Sequence, residues 1–177
     1  MRTLKQFVLF LTVISFTTLT SCSTDDDGGG EGAAASGTLT AQVDGKSFKS
    51  LEISSSATVA NGGQNLIIIA TNSDGNAFSF TILGYSGIGT YAIGGGANIF
   101  NSASYSETNV NLSNPTASTT EIWQAPYDDI EAGSITISEE TETKVIGTFS
   151  FQCKNVNGDN SIKNINEGAF NLNKQTT

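Results

Sequence analysis

The sequence predicts an all-β domain. Apolar and polar residues alternate with a period of two along most of the chain, and turn residues recur about every 8–15 positions. No stretch shows the apolar stripe of an amphipathic helix. These observations favour an antiparallel β-sandwich of roughly nine or ten strands, and a flattened up-and-down β-barrel is the alternative.

The first predicted strand begins at Thr38 and ends before an Asp44-Gly45 pair, which is typical of a two-residue hairpin turn. Its alternating apolar residues are Leu39, Ala41 and Val43. Farther along, residues 66–69 are apolar on both faces, which indicates a central strand. A turn at 73–76 connects this strand to the next one.

The later strands continue the alternation to the end of the chain. Their apolar residues are Phe78, Phe80, Ile82, Ile135, Ile137, Val145, Phe149, Phe151, Cys153, Phe170 and Leu172. A domain of this length can bury one hydrophobic core. We expect Cys153 to pack in that core beside Phe151.

Residues 1–21 have the features of an export signal. Arg2 and Lys5 precede an apolar run at 7–19, which is shorter than the roughly 20 residues of a spanning helix. The run ends at Leu19-Thr20-Ser21-Cys22, which resembles the lipobox of bacterial lipoproteins. This resemblance implies that Cys22 carries lipid and becomes the first residue of the mature protein. The alternative is an ordinary secretory signal with a cysteine nearby by chance.

We divide the chain into a signal peptide (1–21), a lipidated, acidic, glycine-rich tether (22–37) and a single β domain (38–177). The tether composition predicts a solvated, flexible segment. Its acidic cluster at 25–27 resembles the signal that directs Bacteroidota lipoproteins to the outer face of the outer membrane. That resemblance implies display at the cell surface. The periplasmic face is the alternative location, and solubility is the simpler explanation of the acidic residues.

The composition excludes several function classes. Removal of the signal peptide takes away Arg2 and Lys5, which changes the formal charge from −9 to −11 and leaves lysine as the only basic residue type. We therefore expect no nucleic-acid binding, because a phosphate backbone is recognised mainly through positive charge. The chain has no histidine, which removes serine and cysteine catalytic systems that use a histidine base. We predict that the protein is not an enzyme.

One segment carries a candidate ligand site. Trp123 and Tyr127 lie beside Asp128 and Asp129, and aromatic rings next to carboxylates are common where proteins hold sugars. The alternative for Trp123, the only tryptophan, is a place in the core. We expect no metal site and no cofactor, although the oxygen-rich loop 155–160 leaves bound calcium as an alternative.

Four short segments carry a family resemblance: 43–48 (VDGKSF), 89–91 (GTY), 147–151 (GTFSF) and 164–170 (NINEGAF). Together they resemble an uncharacterised family of small lipoproteins of Bacteroidota, of the flavobacterial type, with a domain of unknown function. The resemblance covers most of residues 38–173, and its motifs are turn glycines and core aromatic residues. It implies a lipid-anchored β domain and names no activity.

We expect a lipid-anchored envelope lipoprotein, displayed at the cell surface, whose β domain binds or supports something without catalysis. Its expected partners are the membrane, through the N-terminal lipid, and a glycan or an envelope protein. One alternative is a glycan hydrolase that uses paired carboxylates among Glu121, Asp128, Asp129 and Glu131. Another alternative is a structural subunit of an envelope complex, with a large apolar surface patch.

Overall fold

The computed structural model describes residues 33–96 and 100–176, and these residues form an all-β domain. The predicted signal peptide, Cys22 and the first part of the predicted tether lie outside the described residues. The strands are β1 (Thr38–Val43), β2 (Lys46–Lys49), β3 (Ser55–Ala60), β4 (Asn65–Thr71), β5 (Ala77–Leu83), β6 (Gly89–Gly94), β7 (Ser102–Asn109), β8 (Thr119–Ala125), β9 (Glu131–Glu140), β10 (Lys144–Lys154) and β11 (Ile162–Thr176). In the described part of the chain, no helix is long and apolar enough to cross a membrane.

The strands form one sheet in the order β2-β1-β11-β3-β4-β5-β7-β8-β10-β9-β6, and β10 also pairs with β11. This extra pairing closes a partial ring, which is consistent with a sandwich or a barrel-like fold. Strands β8 and β10 pair over a very short length, because Lys154 and Gln124 are their only paired residues in the described part of the chain. The predicted fold class is confirmed, with 11 strands among the described residues where roughly nine or ten were expected.

One pairing departs from the antiparallel expectation. The last three residues of β11 pair with β3 in parallel, from Lys174 opposite Ala57 to Thr176 opposite Val59. The cause is the length of β11, which has 15 residues. Its earlier residues pair with β1 and β10, and its end continues past both strands to reach β3.

The predicted alternation places the apolar side chains in one core. Phe78, Phe80 and Ile82 of β5 are all fully buried. The Phe78 ring lies at the centre of an aromatic cluster, with its centroid 4.8 Å from that of Phe48 and 5.5 Å from that of Phe149. Such edge-to-face pairs add about 0.5–1.5 kcal/mol each beyond the burial of their area.

Two local predictions are also confirmed. Strand β4 is central, because β3 and β5 pair with it on either side. Asp44 and Gly45 both have positive φ, at 49° and 77°, as a two-residue hairpin turn between β1 and β2 requires. The carboxylate of Asp44 also accepts a hydrogen bond from the backbone N–H of Asn164 at 2.9 Å.

The segment 164–170 forms a β-bulge in β11. The register of β11 shifts against both β1 and β10 at this point, and Glu167 has a positive φ of 51°. Its neighbour must be glycine, because a Cβ on Gly168 would lie 2.5 Å from the ring and the carbonyl oxygen of Phe149.

The residues before β1 show where the chain enters the domain. The N–H of Gly37 donates to the carbonyl of Asn171, and Ser36 accepts a hydrogen bond from the Lys144 ammonium. We call this the tether end. From there β1 runs to the opposite, distal end, where it reaches the start of β11. At about 3.3 Å per residue, the five steps of β1 separate the two ends by roughly 17 Å.

Candidate functional site

A polar cleft of about 370 Å³ lies at the distal end. Its walls come from four separate parts of the chain: the β1–β2 hairpin, the β4–β5 turn, β7 and the start of β11. Its polar side chains are Asp44, Lys46, Ser47, Asn72, Asp74, Asn76, Tyr105, Glu107 and Lys163. The apolar side chains of Val43 and Phe48 complete the lining.

Lys163 is the most constrained charged group of the cleft. Its side chain is 16% exposed, and its ammonium lies 2.9 Å from a carboxylate oxygen of Glu107. The same ammonium sits 4.3 Å from the centroid of the Trp123 ring and 5.8 Å from that of Tyr105. A cation over an aromatic face is stabilised by the ring quadrupole. The lysine is thus held in one place before any ligand arrives.

Tyr105 supports the same carboxylate. Its hydroxyl donates to Glu107 Oε1 at 3.3 Å, the oxygen that also contacts Lys163. Burial, together with the negative charge of Glu107, raises the pKa of Tyr105 above its usual range. The phenol therefore stays protonated at neutral pH and acts as a donor.

The β4–β5 turn contributes two amide side chains in fixed orientations. The Asn72 oxygen accepts hydrogen bonds from the backbone N–H groups of Asp74 and Asn76, at 3.0 and 2.9 Å. The Asn76 oxygen accepts from the backbone N–H of Thr108 at 2.9 Å. Because backbone N–H groups of the turn and of β7 occupy the two oxygens, the N–H groups of the two amides are the parts available to a ligand.

Trp123 belongs to the core and only backs the cleft. It is 3% exposed, and its indole N–H donates to the hydroxyl of Ser161 at 2.9 Å. Tyr127 is half-buried, while Asp128 and Asp129 are exposed. Asp128 caps its own turn by accepting from the N–H of Ile130. The indole therefore has little exposed surface with which to contact a ligand beside Tyr127, Asp128 and Asp129. Ligand binding by these four residues stays a prediction.

The groups with potential for catalysis lie apart. Cys153 is fully buried, and burial raises the pKa of its thiol to about 12, so the thiol stays protonated at neutral pH. The carboxylates predicted for the alternative of hydrolysis are all exposed: Glu121, Asp128, Asp129 and Glu131.

Across residues 33–96 and 100–176, no three Asp, Glu, His or Cys side chains cluster as metal ligands. Loop 155–160 is closed by its own hydrogen bonds, including Asn160 N–H to the Asn155 carbonyl.

A second polar cluster lies at the tether end. Glu140 accepts hydrogen bonds from the Tyr85 hydroxyl at 2.8 Å and from the Lys174 ammonium at 2.6 Å. Burial raises the pKa of Glu140, but these two hydrogen bonds outweigh it and hold the pKa below its usual value. This cluster joins β9 to the end of β11 and is structural in character.

Comparison with known proteins identifies the domain. A family described as a domain of unknown function (DUF6252) matches residues 35–172. The chain belongs to this family. The match begins just before β1 and ends within β11, so the DUF6252 domain includes every segment that lines the cleft. No curated protein and no solved structure matches the chain.

Sequence reasoning missed Tyr105, Glu107 and Lys163 as site residues. The sequence did hold one indication of the cleft, because the segment 43–48, which carries part of the family resemblance, contributes to its lining. Nothing in the local sequence links that segment to Lys163, which is 120 positions farther along the chain than its first residue.

Proposed function

We propose that this DUF6252 protein is a lipid-anchored envelope lipoprotein of a Bacteroidota-type bacterium, whose β domain binds a ligand without catalysis. The export signal, the lipobox-like segment ending at Cys22 and the acidic cluster at 25–27 support anchoring at the outer face of the outer membrane. Burial of two or more acyl chains gives stable attachment, at about 0.8 kcal/mol per methylene.

The position of the cleft is the observation that carries this proposal. The chain enters the domain beside Asn171 and Lys144, and the cleft opens at the other end of β1. Averaged over the motion of a flexible tether, a domain attached at one end and concave at the opposite end holds its cleft farther from the membrane than its point of attachment. This arrangement suits capture of something outside the bilayer.

The chemistry of the cleft supports binding more than catalysis. Its groups are carboxylates, lysines, amides and the hydroxyls of Ser47 and Tyr105, and Lys163 is already paired with Glu107. A nucleophile needs a base within hydrogen-bonding reach, and the only thiol among the described residues lies buried in the core. Fixed donors and acceptors in a concave site are features of ligand recognition.

The anchor is tested by metabolic labelling with an alkyne fatty acid, comparing the wild type with Cys22→Ala and Cys153→Ala. We expect Cys22→Ala to lose the label, while Cys153→Ala keeps it. Cys153→Ala is the matched control, because it also removes one thiol but alters only the core. Retention of label in Cys22→Ala would refute lipid attachment at that residue.

Location and orientation need separate measurements. Protease digestion on intact cells is expected to remove the domain, and protection until the envelope is broken would place it in the periplasm. For orientation, a fluorophore is attached at Ser73→Cys, in the distal β4–β5 turn, or at Thr143→Cys, at the tether end. In nanodiscs that contain quencher lipid, we expect stronger quenching at position 143. Equal quenching at both positions would contradict a cleft that faces away from the membrane.

A further inference from the structure

We propose that the distal cleft binds the terminal unit of a neutral saccharide. This inference rests on the proposed function, in which the cleft is the ligand site, and it names the class of ligand. It places the sugar site in a different location from the segment around Trp123 and Tyr127.

The charges of the cleft argue for a neutral ligand. Glu107 and Lys163 compensate each other at 2.9 Å. Of the remaining charged side chains, Asp44 and Asp74 are negative and Lys46 is positive. A small surplus of negative charge opposes a phosphate or a carboxylate. A divalent cation would need a denser set of ligands than the described residues provide.

The hydrogen-bonding groups of the cleft match a polyhydroxyl ligand. Each sugar hydroxyl both donates and accepts, and the cleft offers both kinds of group close together. Its acceptors are the carboxylates of Asp44, Asp74 and Glu107, and its donors include Lys46 and the amide N–H groups of the β4–β5 turn. An alkyl chain would leave most of these groups without partners, which is costly.

Several of these groups are held in place before binding. The backbone N–H of Asn164 fixes one oxygen of Asp44. The turn fixes the amide of Asn72, and the backbone N–H of Thr108 in β7 fixes the amide of Asn76. Lys163 is held between Glu107 and the Trp123 ring. Preorganised side chains lose little conformational entropy on binding, so a small ligand can be retained.

The size of the cleft limits the ligand to a short unit. Its volume of about 370 Å³ lies near the lower end of the range of roughly 300–1,000 Å³ for small-molecule sites. Val43 and Phe48 in the lining are only 5% and 4% exposed, so a bound sugar would meet mainly the polar groups of the cleft. We therefore expect one or two sugar rings to enter, with the rest of a longer glycan outside.

The test uses the full lipidated protein in nanodiscs, without sugar-based detergents, and saturation-transfer NMR. The probes are methyl glycosides and disaccharides of glucose, galactose, mannose and N-acetylglucosamine, each up to about 10 mM. We expect at least one neutral probe to bind. Asp44→Asn should weaken that binding at least tenfold, because it removes the charge of an acceptor in the cleft. The turn itself should be kept, because asparagine tolerates positive φ and can still accept the hydrogen bond from Asn164. The matched control is Glu142→Gln, which also replaces a carboxylate with an amide but in the exposed turn between β9 and β10, at the tether end.

Two results would overturn the inference. In the first, no neutral probe binds, while glucuronate, a sulphated sugar or a cationic peptide does so in a manner that Asp44→Asn weakens. This result would reject the neutral saccharide and keep the cleft as a binding site. In the second, a neutral sugar binds equally well to Asp44→Asn and to the wild type. This result would move the ligand away from the cleft, and the proposed function would lose the site on which it rests.

Discussion

Replacing Lys163 with methionine tests whether the charged network of the cleft stabilises the fold. The change keeps the length of the side chain but removes the ammonium that contacts Glu107 and the Trp123 ring. A partly exposed ion pair contributes about 0–1 kcal/mol. A cation over an aromatic ring contributes about 0.5–2 kcal/mol, depending on how far it is desolvated. We expect Lys163→Met to lower the free energy of unfolding by about 1–2 kcal/mol.

The assay is urea unfolding followed by the fluorescence of Trp123, the only tryptophan, whose burial makes its emission sensitive to unfolding. With a slope of about 2 kcal/mol per M urea, the midpoint should fall by roughly 0.5–1 M. The matched control is Lys49→Met on the exposed side of β2, which removes the same charge and should change the midpoint little. A double-mutant cycle with Glu107→Gln should give a coupling free energy of about 0.5–1 kcal/mol. Equal midpoints for the two lysine variants, or strict additivity in the cycle, would refute the role of this network.

Three further changes test other parts of the fold. Gly168→Ala should lower the free energy of unfolding in urea by about 1–3 kcal/mol, because the alanine Cβ would overlap the ring and the carbonyl oxygen of Phe149. A smaller loss would mean that the bulge relaxes to make room. The pKa of Glu140 is lower in the folded state, so its ionised form stabilises the fold above the unfolded pKa, and this stability is lost as pH falls through the folded pKa. Glu140→Gln should therefore flatten the pH dependence of the free energy of unfolding on the acid side. An unchanged pH profile would contradict this. Truncation after Asn173 removes the parallel pairing of β11 with β3 and the Lys174 ammonium that binds Glu140. It should lower the melting temperature measured by circular dichroism. An unchanged melting temperature would show that the partial ring of strands does not need these residues.

Much of the secondary structure could be predicted because it depends on local rules. A strand with one buried face must alternate, so the sequence pattern alone predicts that Phe78, Phe80 and Ile82 lie in the core, where all three are buried. The Asp44-Gly45 turn was equally local, because two successive residues with positive φ favour this pair. The strand count came out too low. Strands such as β8 carry mostly exposed residues, so their alternation is weak in the sequence.

The lipid anchor, the location and the predicted ligand residues are sequence inferences of another kind. The lipobox-like segment that ends at Cys22 predicts lipid attachment from residue order alone, and no tertiary contact enters that prediction. Trp123 shows the limit of such reasoning at a site. Exposed acids lie within six positions of it along the chain, but its neighbours in space are Tyr105, Ser161 and Lys163.

The sequence by itself determined the all-β class, the principal core residues and the first hairpin, because each depends on residues within a few positions of one another. Only the tertiary structure decided how the strands meet. The parallel contact between β3 and β11, and the cleft built from the β1–β2 hairpin, the β4–β5 turn, β7 and β11, join segments that are far apart along the chain. Period-two patterning records which face of a strand is buried. It carries no record of the neighbouring strand, because any strand with a matching apolar face buries it equally well.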